Sequence, residues 1–138
     1  MAEETYEQLV ARGVELAENE GYGEAIRVLG QAVELDDSRL DAHYNLAVVY
    51  GLLAMSDLEI EDYFEDRVDE ELLFQNAIDE YQRVLEIDPN HIPAHNNLGT
   101  LYALHGEHDL ALHELERSLE LDPNQPEVRE QLEELRST

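Results

Sequence analysis

The chain lacks lysine, cysteine and tryptophan, and its 138 residues include only eight basic ones, all of them arginine. Without cysteine it cannot form a disulfide framework, a cysteine-ligated zinc site or a thiol nucleophile. Against the eight arginines stand 34 aspartates and glutamates, which give a formal charge of −26. A charge this negative repels phosphate groups, so we expect no nucleic-acid partner and no binding to anionic membranes.

Long hydrophobic runs and targeting signals are also missing from the sequence. The longest continuous apolar stretch, residues 46–55, is too short to span a bilayer. Residues 1–5 are acidic and lack the basic and then apolar pattern of a signal peptide. At this length one domain is the prior expectation, and we expect a single cytoplasmic domain covering residues 1–138.

A repeat of 34 residues organises the chain. Ala77 and Ala111 begin two similar segments 34 residues apart, and His43 and His95 lie 52 apart, which is one unit plus 18 residues. The predicted organisation is a leader, three repeats with an insertion in the second, and a tail. The leader is 1–5, the repeats are 6–39, 40–91 and 92–125, the insertion lies near 55–72, and the tail is 126–138.

The repeat resembles the tetratricopeptide repeat (TPR) family, whose pattern is W-x2-L-G-x2-Y, then A-x3-F, then P. The third repeat places this pattern on His95, Leu98, Gly99, Tyr102, Ala111, Leu115 and Pro123. The second places it on His43, Leu46, Ala47, Tyr50, Ala77, Tyr81 and Pro89. The first repeat is the most degenerate, with Leu9, Arg12, Gly13, Leu16, Ala25, Leu29 and Asp37. The resemblance implies an all-α solenoid, a right-handed superhelix of about seven helices that ends in a capping helix.

Local signals predict several helix ends. Thr5 followed by Gln8 indicates a capping box at the start of the first helix. Asn90 and Asn124 are predicted to cap the helices that follow Pro89 and Pro123. Glycine-containing turns are predicted at residues 20–23 and 105–107, between paired helices.

The insertion is the most acidic segment, with nine acidic residues among 18, against 25 in the other 120. Its apolar residues recur every four positions, which predicts either an added helix near 57–65 or an extension of the following helix. Two roles remain open, packing on the domain itself and contact with a partner at the rim of a groove. The rim residues are Ile60, Tyr63 and Phe64.

The resemblance implies a function as well as a fold, namely a non-catalytic scaffold that binds a peptide or protein in a concave groove lined by the first helices. The implied groove residues are Val10, Val14, Tyr44, Asn45, Val48, Asn96, Asn97 and Thr100. Asn45 and Asn97 hold equivalent positions, and an amide can pair with a peptide backbone. Hydrogen bonding within the solenoid is the alternative for both.

One TPR subtype binds the C-terminal carboxylates of chaperones through lysine and arginine. The corresponding positions here hold Val10, Val14, Asn45, Pro93 and Asn97, so that carboxylate clamp is absent. We expect a segment with apolar anchors and basic residues instead. The alternative is a self-associating scaffold or assembly factor whose acidic insertion contacts a basic partner.

No catalytic residue, metal or cofactor is predicted. The sequence has no glycine-rich phosphate loop and no recognisable Ser–His–Asp arrangement. His91 and His95 have a spacing that zinc ligands can use, but no cysteine or placed carboxylate accompanies them. The acidity itself has two explanations, adaptation to high salt and a surface for a basic partner.

Overall fold

A computed structural model describes residues 3–56 and 70–138, and all regular structure in these residues is α-helical. The helices are α1 (Tyr6–Glu18), α2 (Tyr22–Leu35), α3 (Leu40–Ala54), α4 (Glu70–Ile87), α5 (Ile92–Leu104), α6 (His108–Leu121) and α7 (Pro126–Arg136). The predicted all-α fold is confirmed. The helix predicted near 57–65 and the rim residues Ile60, Tyr63 and Phe64 lie outside the described residues.

The helices belong to two compact units, unit 1 (Met1–Ile87) and unit 2 (Asp88–Thr138). In unit 1, α1 packs on α2 and α3, and α3 packs on α2 and α4; in unit 2, α6 packs between α5 and α7. Unit 1 thus contains the pairs α1–α2 and α3–α4, and unit 2 contains the pair α5–α6 followed by α7. The single domain over residues 1–138 stays a prediction. Within the described ranges, no helix combines the length and the apolar character that crossing a membrane requires.

Close packing within a helix pair depends on glycine. A Cβ added at Gly13 of α1 would lie 2.5 Å from Cγ of Leu29, and one added at Gly99 of α5 would lie 2.8 Å from Cδ2 of Leu115. Both leucines belong to the second helix of their pair and are fully buried. Gly13 and Gly99, which hold one position of the TPR pattern, therefore leave room for a buried leucine of the second helix.

The turns within the pairs use a left-handed residue at one repeat position. Glu20 has φ 63° between α1 and α2, and Gly106 has φ 82° between α5 and α6. The two positions are equivalent in the repeat, but only the second holds glycine, which adopts this conformation without steric cost. Turns occur at both predicted places, but Tyr22 and Gly23 of the first predicted turn already belong to α2, and its left-handed residue is Glu20 and not the adjacent Gly21.

The capping box at α1 is confirmed, but the predicted cap at Asn90 is wrong. Thr5 and Gln8 exchange both hydrogen bonds of the box. The N-cap of α5 is His91, whose Nδ1 accepts a hydrogen bond from the Ala94 N–H at 3.1 Å. Asn90 lies one residue before this N-cap because its backbone N–H takes part in the turn that precedes α5.

In that turn the Asp88 carboxylate accepts from the Asn90 N–H at 3.1 Å. The same arrangement precedes α7, where the Asp122 carboxylate accepts from the Asn124 N–H at 2.9 Å. The N-cap of α7 is Gln125, so the cap predicted at Asn124 is also wrong. A turn stabilised by an aspartate delays the start of each helix by one residue.

Candidate functional site

Five of the predicted groove residues lie on two helices of unit 1 that pack against each other. Val10 and Val14 are one turn apart on α1, and Tyr44, Asn45 and Val48 lie within one turn of α3. All five are half-buried, so their side chains keep part of their surface accessible. We call these five residues the α1–α3 group. It is mainly apolar and contains one amide.

The core of unit 1 holds the α1–α3 group in place. Val10 packs on a buried cluster that includes Tyr6 and Leu9 of the same helix. The Tyr44 ring meets the buried Tyr81 ring edge to face, with 6.1 Å between the centroids and 66° between the planes. Aromatic pairs with this geometry attract each other beyond the effect of their buried area. The exposed edge of Tyr44 is therefore presented from a fixed position.

The Asn45 amide makes a bond within its own helix, because its Nδ2 donates to the carbonyl oxygen of Asp41 at 2.8 Å. An asparagine amide has two N–H donors and one carbonyl acceptor, so this bond uses part of its capacity. Asn97, at the equivalent position of α5, is also half-buried. The bond to Asp41 orients the Asn45 amide at the surface of α3.

In unit 2 the structure ties two predicted groove residues to the C-terminal segment. Nδ2 of Asn96 donates to Oε1 of Gln125 at 2.9 Å, and Oδ1 of Asn96 accepts from the hydroxyl of Ser118. Nε2 of Gln131 donates to Oγ1 of Thr100 at 3.1 Å. Asn96 and Thr100 therefore take part in joining α5 to the helices that follow it.

No sequence pattern predicts this network. Gln125 donates to the carbonyl oxygens of Ser118 and Asp122, at 3.1 and 2.9 Å, as well as contacting Asn96. The available signal was a serine on the buried face of α6, in line with Ala111 and Leu115, because a buried hydroxyl requires a hydrogen-bond partner. Its partners lie on both sides in the sequence, so no local motif reveals them.

An arginine links α1 to the start of α3. Nη1 of Arg39 lies 2.6 Å from a carboxylate oxygen of Glu7, and its guanidinium lies 4.0 Å from the centroid of the Tyr6 ring. The hydrogen bond from Arg39 lowers the pKa of Glu7 below its ordinary value. Burial, as the largest cause, raises the pKa of the Tyr6 hydroxyl. This contact, which no sequence pattern predicts, pairs Arg39 with an acidic residue of α1.

His43, at the position where the TPR pattern has tryptophan, is buried and uses both ring nitrogens. Its Nδ1 lies 2.6 Å from Oε2 of Glu80 on α4, and its Nε2 lies 2.9 Å from the carbonyl oxygen of Asp37. The side chain is only 6% exposed. The histidine thus connects α3 to α4 and to the turn that precedes α3.

His95 repeats this arrangement in unit 2. Its Nδ1 lies 2.7 Å from Oε2 of Glu114 on α6, and its Nε2 lies 2.8 Å from the carbonyl oxygen of Pro89. Both ring nitrogens are therefore engaged by protein groups, and Nδ1 of His91 serves as a helix cap. Among the residues that the structure describes, no three or more His, Asp or Glu form a group that could hold a metal ion.

Comparison with known proteins shows what this arrangement is similar to. Two family profiles described as "Tetratricopeptide repeat" match residues 10–51 and 73–134. No curated protein matches the chain. The similar solved structures include the first TPR domain of Spaghetti (RPAP3) bound to the HSP90 peptide SRMEEVD, at 19% identity and TM-score 0.79, with 96% of this chain and 91% of that chain covered.

Two further structures are similar in the same way. The second TPR domain of human RPAP3, in complex with the HSP70 peptide SGPTIEEVD, has 16% identity and TM-score 0.76, with 94% of this chain and 93% of that chain covered. YrrB, described as a TPR protein with an unusual peptide-binding site, has 22% identity and TM-score 0.75, with 96% and 59% covered. These likenesses show a shared fold, the helical solenoid of TPR domains.

Proposed function

Because the chain belongs to the tetratricopeptide repeat family, we propose that it is a non-catalytic interaction module that binds a peptide or protein segment along α1 and α3. The observation that supports the proposal is that the α1–α3 group has four apolar side chains and one amide, all half-buried, on two helices that pack against each other. Its members are half-buried, so a ligand can cover their remaining surface. Burying that surface provides the main driving force for binding.

The ligand proposed is a segment with apolar anchors and some basic residues. The chain carries a charge of −26, and Asp41 and Glu18 are exposed on the helices that hold the α1–α3 group. Basic residues in the ligand would complement this charge and accelerate the encounter. The Asn45 amide can pair with the ligand main chain, whose donors and acceptors are present whatever its sequence.

The charge of the chain and the residues at the clamp positions disfavour peptides of the chaperone type. The peptides in the two RPAP3 structures, SRMEEVD and SGPTIEEVD, are acidic at their ends. Binding such a peptide requires cations that offset its carboxylates, because removing a carboxylate from water without a partner is costly. This chain has valine, proline and asparagine at the clamp positions and no lysine. We therefore expect no saturable binding of SRMEEVD.

Peptide selection followed by affinity measurement tests the proposal. A random peptide library displayed on phage is selected against the wild-type chain, and fluorescence anisotropy then gives Kd for the enriched peptides. Asn45→Ala should weaken binding about fivefold, because one hydrogen bond contributes about 1 kcal/mol. Val14→Thr should weaken it about tenfold or more, since an unpaired hydroxyl buried against the ligand costs about 1–3 kcal/mol.

Gln75→Ala provides the matched control, because Gln75 is exposed on α4, the second helix of its pair. Far-ultraviolet circular dichroism verifies that each variant is folded. Unchanged affinity in both Asn45→Ala and Val14→Thr would reject the α1–α3 group as the binding surface. Failure to enrich any peptide would count against peptide binding altogether.

Self-association is the second candidate function, and one observation favours it. Three apolar side chains near the ends of α3 and α4 are exposed. They are Leu52 and Met55 at the end of α3, which are 39% and 50% exposed, and Leu72 in the first turn of α4, which is 51% exposed. Exposed apolar side chains on both sides of residues 57–69 suit contact with a second copy or with an apolar partner. Light scattering at several concentrations distinguishes the candidates, since a concentration-independent monomer mass would exclude self-association.

A further inference from the structure

We infer that Tyr6 is a positioning residue, whose hydroxyl caps α3 from α1 and so fixes the spacing of the two helices that the ligand covers. The hydroxyl accepts a hydrogen bond from the Ala42 N–H at 2.8 Å and donates one to the Arg39 carbonyl oxygen at 3.4 Å. Both partners belong to the start of α3, whereas Tyr6 begins α1. The inference rests on the binding along α1 and α3 proposed above, to which it adds a residue that sets the geometry.

The N–H group that Tyr6 binds is one that a helix cannot satisfy by itself. Ala42 is the third residue of α3, and the N–H groups of the first turn have no carbonyl partner within their helix. A side chain at the N-cap commonly accepts from this N–H, but Arg39, the N-cap of α3, makes no such bond, since a guanidinium has donors only. Ala42 is completely buried, so water cannot replace the missing acceptor.

The next repeat meets the same requirement locally. His91, the N-cap of α5, lies 52 residues after Arg39, which is the spacing that relates these two repeats. Its Nδ1 accepts from the N–H of Ala94, the counterpart of Ala42. The cap of α5 thus comes from the residue just before the helix, whereas the cap of α3 comes from Tyr6, 36 residues before the N–H that it binds. A cap supplied from another helix joins the two helices, which a local cap does not do.

Arg39 contacts the same junction from the α3 side. Its guanidinium lies over the Tyr6 ring, 4.0 Å from the centroid, and a cation attracts an aromatic face. Its ion pair with Glu7 is open to solvent, because the two side chains are 39% and 66% exposed, so this pair contributes little. The buried bond from Ala42 to Tyr6 is therefore the stronger of the two polar links between α1 and the start of α3.

The junction is continuous with the α1–α3 group. Tyr6 and Ala42 belong to one buried cluster, and Val10, one turn further along α1, packs against it. On α3 the Asn45 amide donates to the carbonyl oxygen of Asp41, the residue just before Ala42. The position of the first turn of α3 thus sets where the amide lies relative to the valines of α1. A ligand that covers both helices binds more tightly when their spacing is fixed beforehand, because fixing it on binding costs free energy.

A local cap engineered into α3 separates capping from positioning. Arg39 has the extended backbone of an N-cap residue, with φ −100° and ψ 133°, so Arg39→Asn gives α3 a side chain that can accept from the Ala42 N–H. Tyr6→Phe removes only the hydroxyl. Urea denaturation measures the stability of the wild type, the two single variants and the double variant, and fluorescence anisotropy gives Kd for a peptide enriched by the phage selection. Tyr22→Phe is the matched control, because Tyr22 begins α2, which carries none of the α1–α3 group.

Stability and affinity should respond differently to the new cap. In the wild-type background Tyr6→Phe should increase the equilibrium constant for unfolding about tenfold, because the Ala42 N–H loses its acceptor. In the Arg39→Asn background the same change should alter that constant less than about threefold, since the new asparagine caps α3. Binding should be weakened about fivefold by Tyr6→Phe in both backgrounds, because a local cap does not restore the link to α1. Tyr22→Phe should leave Kd unchanged.

Two results would overturn the inference. One is a loss of affinity that the new cap repairs together with the loss of stability, since Tyr6 would then act only as a cap. The other is an unchanged Kd after Tyr6→Phe in both backgrounds. Should the double variant fail to fold, Tyr6→Phe is compared with the wild type and with Tyr22→Phe, and an affinity equal in all three would reject the positioning role.

A distance measurement tests the spacing without any ligand. Because the chain has no cysteine, Glu15→Cys and Leu52→Cys provide specific spin-label sites at exposed positions of α1 and α3. Pulsed electron paramagnetic resonance should show a broader distribution of label distances in the Tyr6→Phe, Arg39→Asn variant than in Arg39→Asn alone, and identical distributions would overturn the inference. Should the peptide selection or the α1–α3 variants described above fail, the proposed function is rejected, whereas this measurement still decides whether Tyr6 fixes the spacing.

Discussion

Replacing Gly13 by alanine tests the close approach of paired helices most sharply, because two opposing effects can be separated. Alanine inside a helix is favoured over glycine by about 1 kcal/mol. At Gly13, however, the new Cβ would lie 2.5 and 2.6 Å from Cγ and Cδ2 of Leu29. Leu29 is fully buried, so its side chain cannot turn out into solvent to avoid the new Cβ. Overpacking of this kind costs about 1–3 kcal/mol.

Contacts this short place the cost in the upper part of that range, so Gly13→Ala should destabilise the protein by about 1–2 kcal/mol. Gly30→Ala is the matched control. Gly30 lies inside α2, and a Cβ there would have no atom within 4 Å. This control should therefore gain about 1 kcal/mol of stability. Urea denaturation followed by circular dichroism measures both changes.

A double-mutant cycle isolates the clash itself. Leu29→Ala removes the atoms that the new Cβ would meet, at a cost of about 2–5 kcal/mol for the cavity. In that background Gly13→Ala should become stabilising, which gives a favourable coupling energy of about 2–3 kcal/mol. If Gly13→Ala stabilised the wild type as much as Gly30→Ala does, the proposed steric basis of the helix pairing would be refuted.

Three further predictions follow from single features of the structure. Glu20→Gly should stabilise the protein and Gly106→Ala should destabilise it, by about 1 kcal/mol each, because both residues have a left-handed backbone. Urea denaturation measures both changes in the free energy of unfolding, and changes of the same sign would contradict the prediction. Arg39→Ala should raise the pKa of Glu7 back to its ordinary range, as measured by a ¹³C titration. In the wild type the contact stabilises the fold above that range and is lost as pH falls through the lowered pKa. An unchanged pKa of Glu7 in the variant would contradict the pairing. The melting temperature should rise between low and molar KCl if the charge of −26 is an adaptation to salt, and no rise would reject that explanation.

The sequence predicted those parts of the fold that depend on local and periodic signals. The 34-residue repeat predicted where the helix pairs lie, and the Thr5–Gln8 capping box is confirmed. The caps assigned to Asn90 and Asn124 were wrong by one residue. Asparagine is a good cap residue in isolation, but here preceding aspartates bind its backbone N–H and extend the turn. Where each helix begins depends on which of two neighbouring polar side chains binds the backbone, and the residue types alone do not show which one does.

The candidate site was less accessible to sequence reasoning because its polar contacts are long-range. Glu7 and Arg39 are 32 residues apart, and Asn96 and Gln125 are 29 residues apart. Neither pairing belongs to a local motif. His43 and His95 hold the tryptophan position of the TPR pattern, but the glutamates that contact their rings come from the neighbouring helix. Contacts of this kind become visible only when the packing of the two helices is known.

Binding of a ligand along α1 and α3 is tested most directly by nuclear magnetic resonance of the valine methyl groups during titration with a selected peptide. The methyl signals of Val10, Val14 and Val48 should shift in proportion to the bound fraction, whereas those of the buried Val84 in α4 and Val128 in α7 should stay unchanged. Saturation of binding with no shift at Val10, Val14 or Val48 would contradict the assignment.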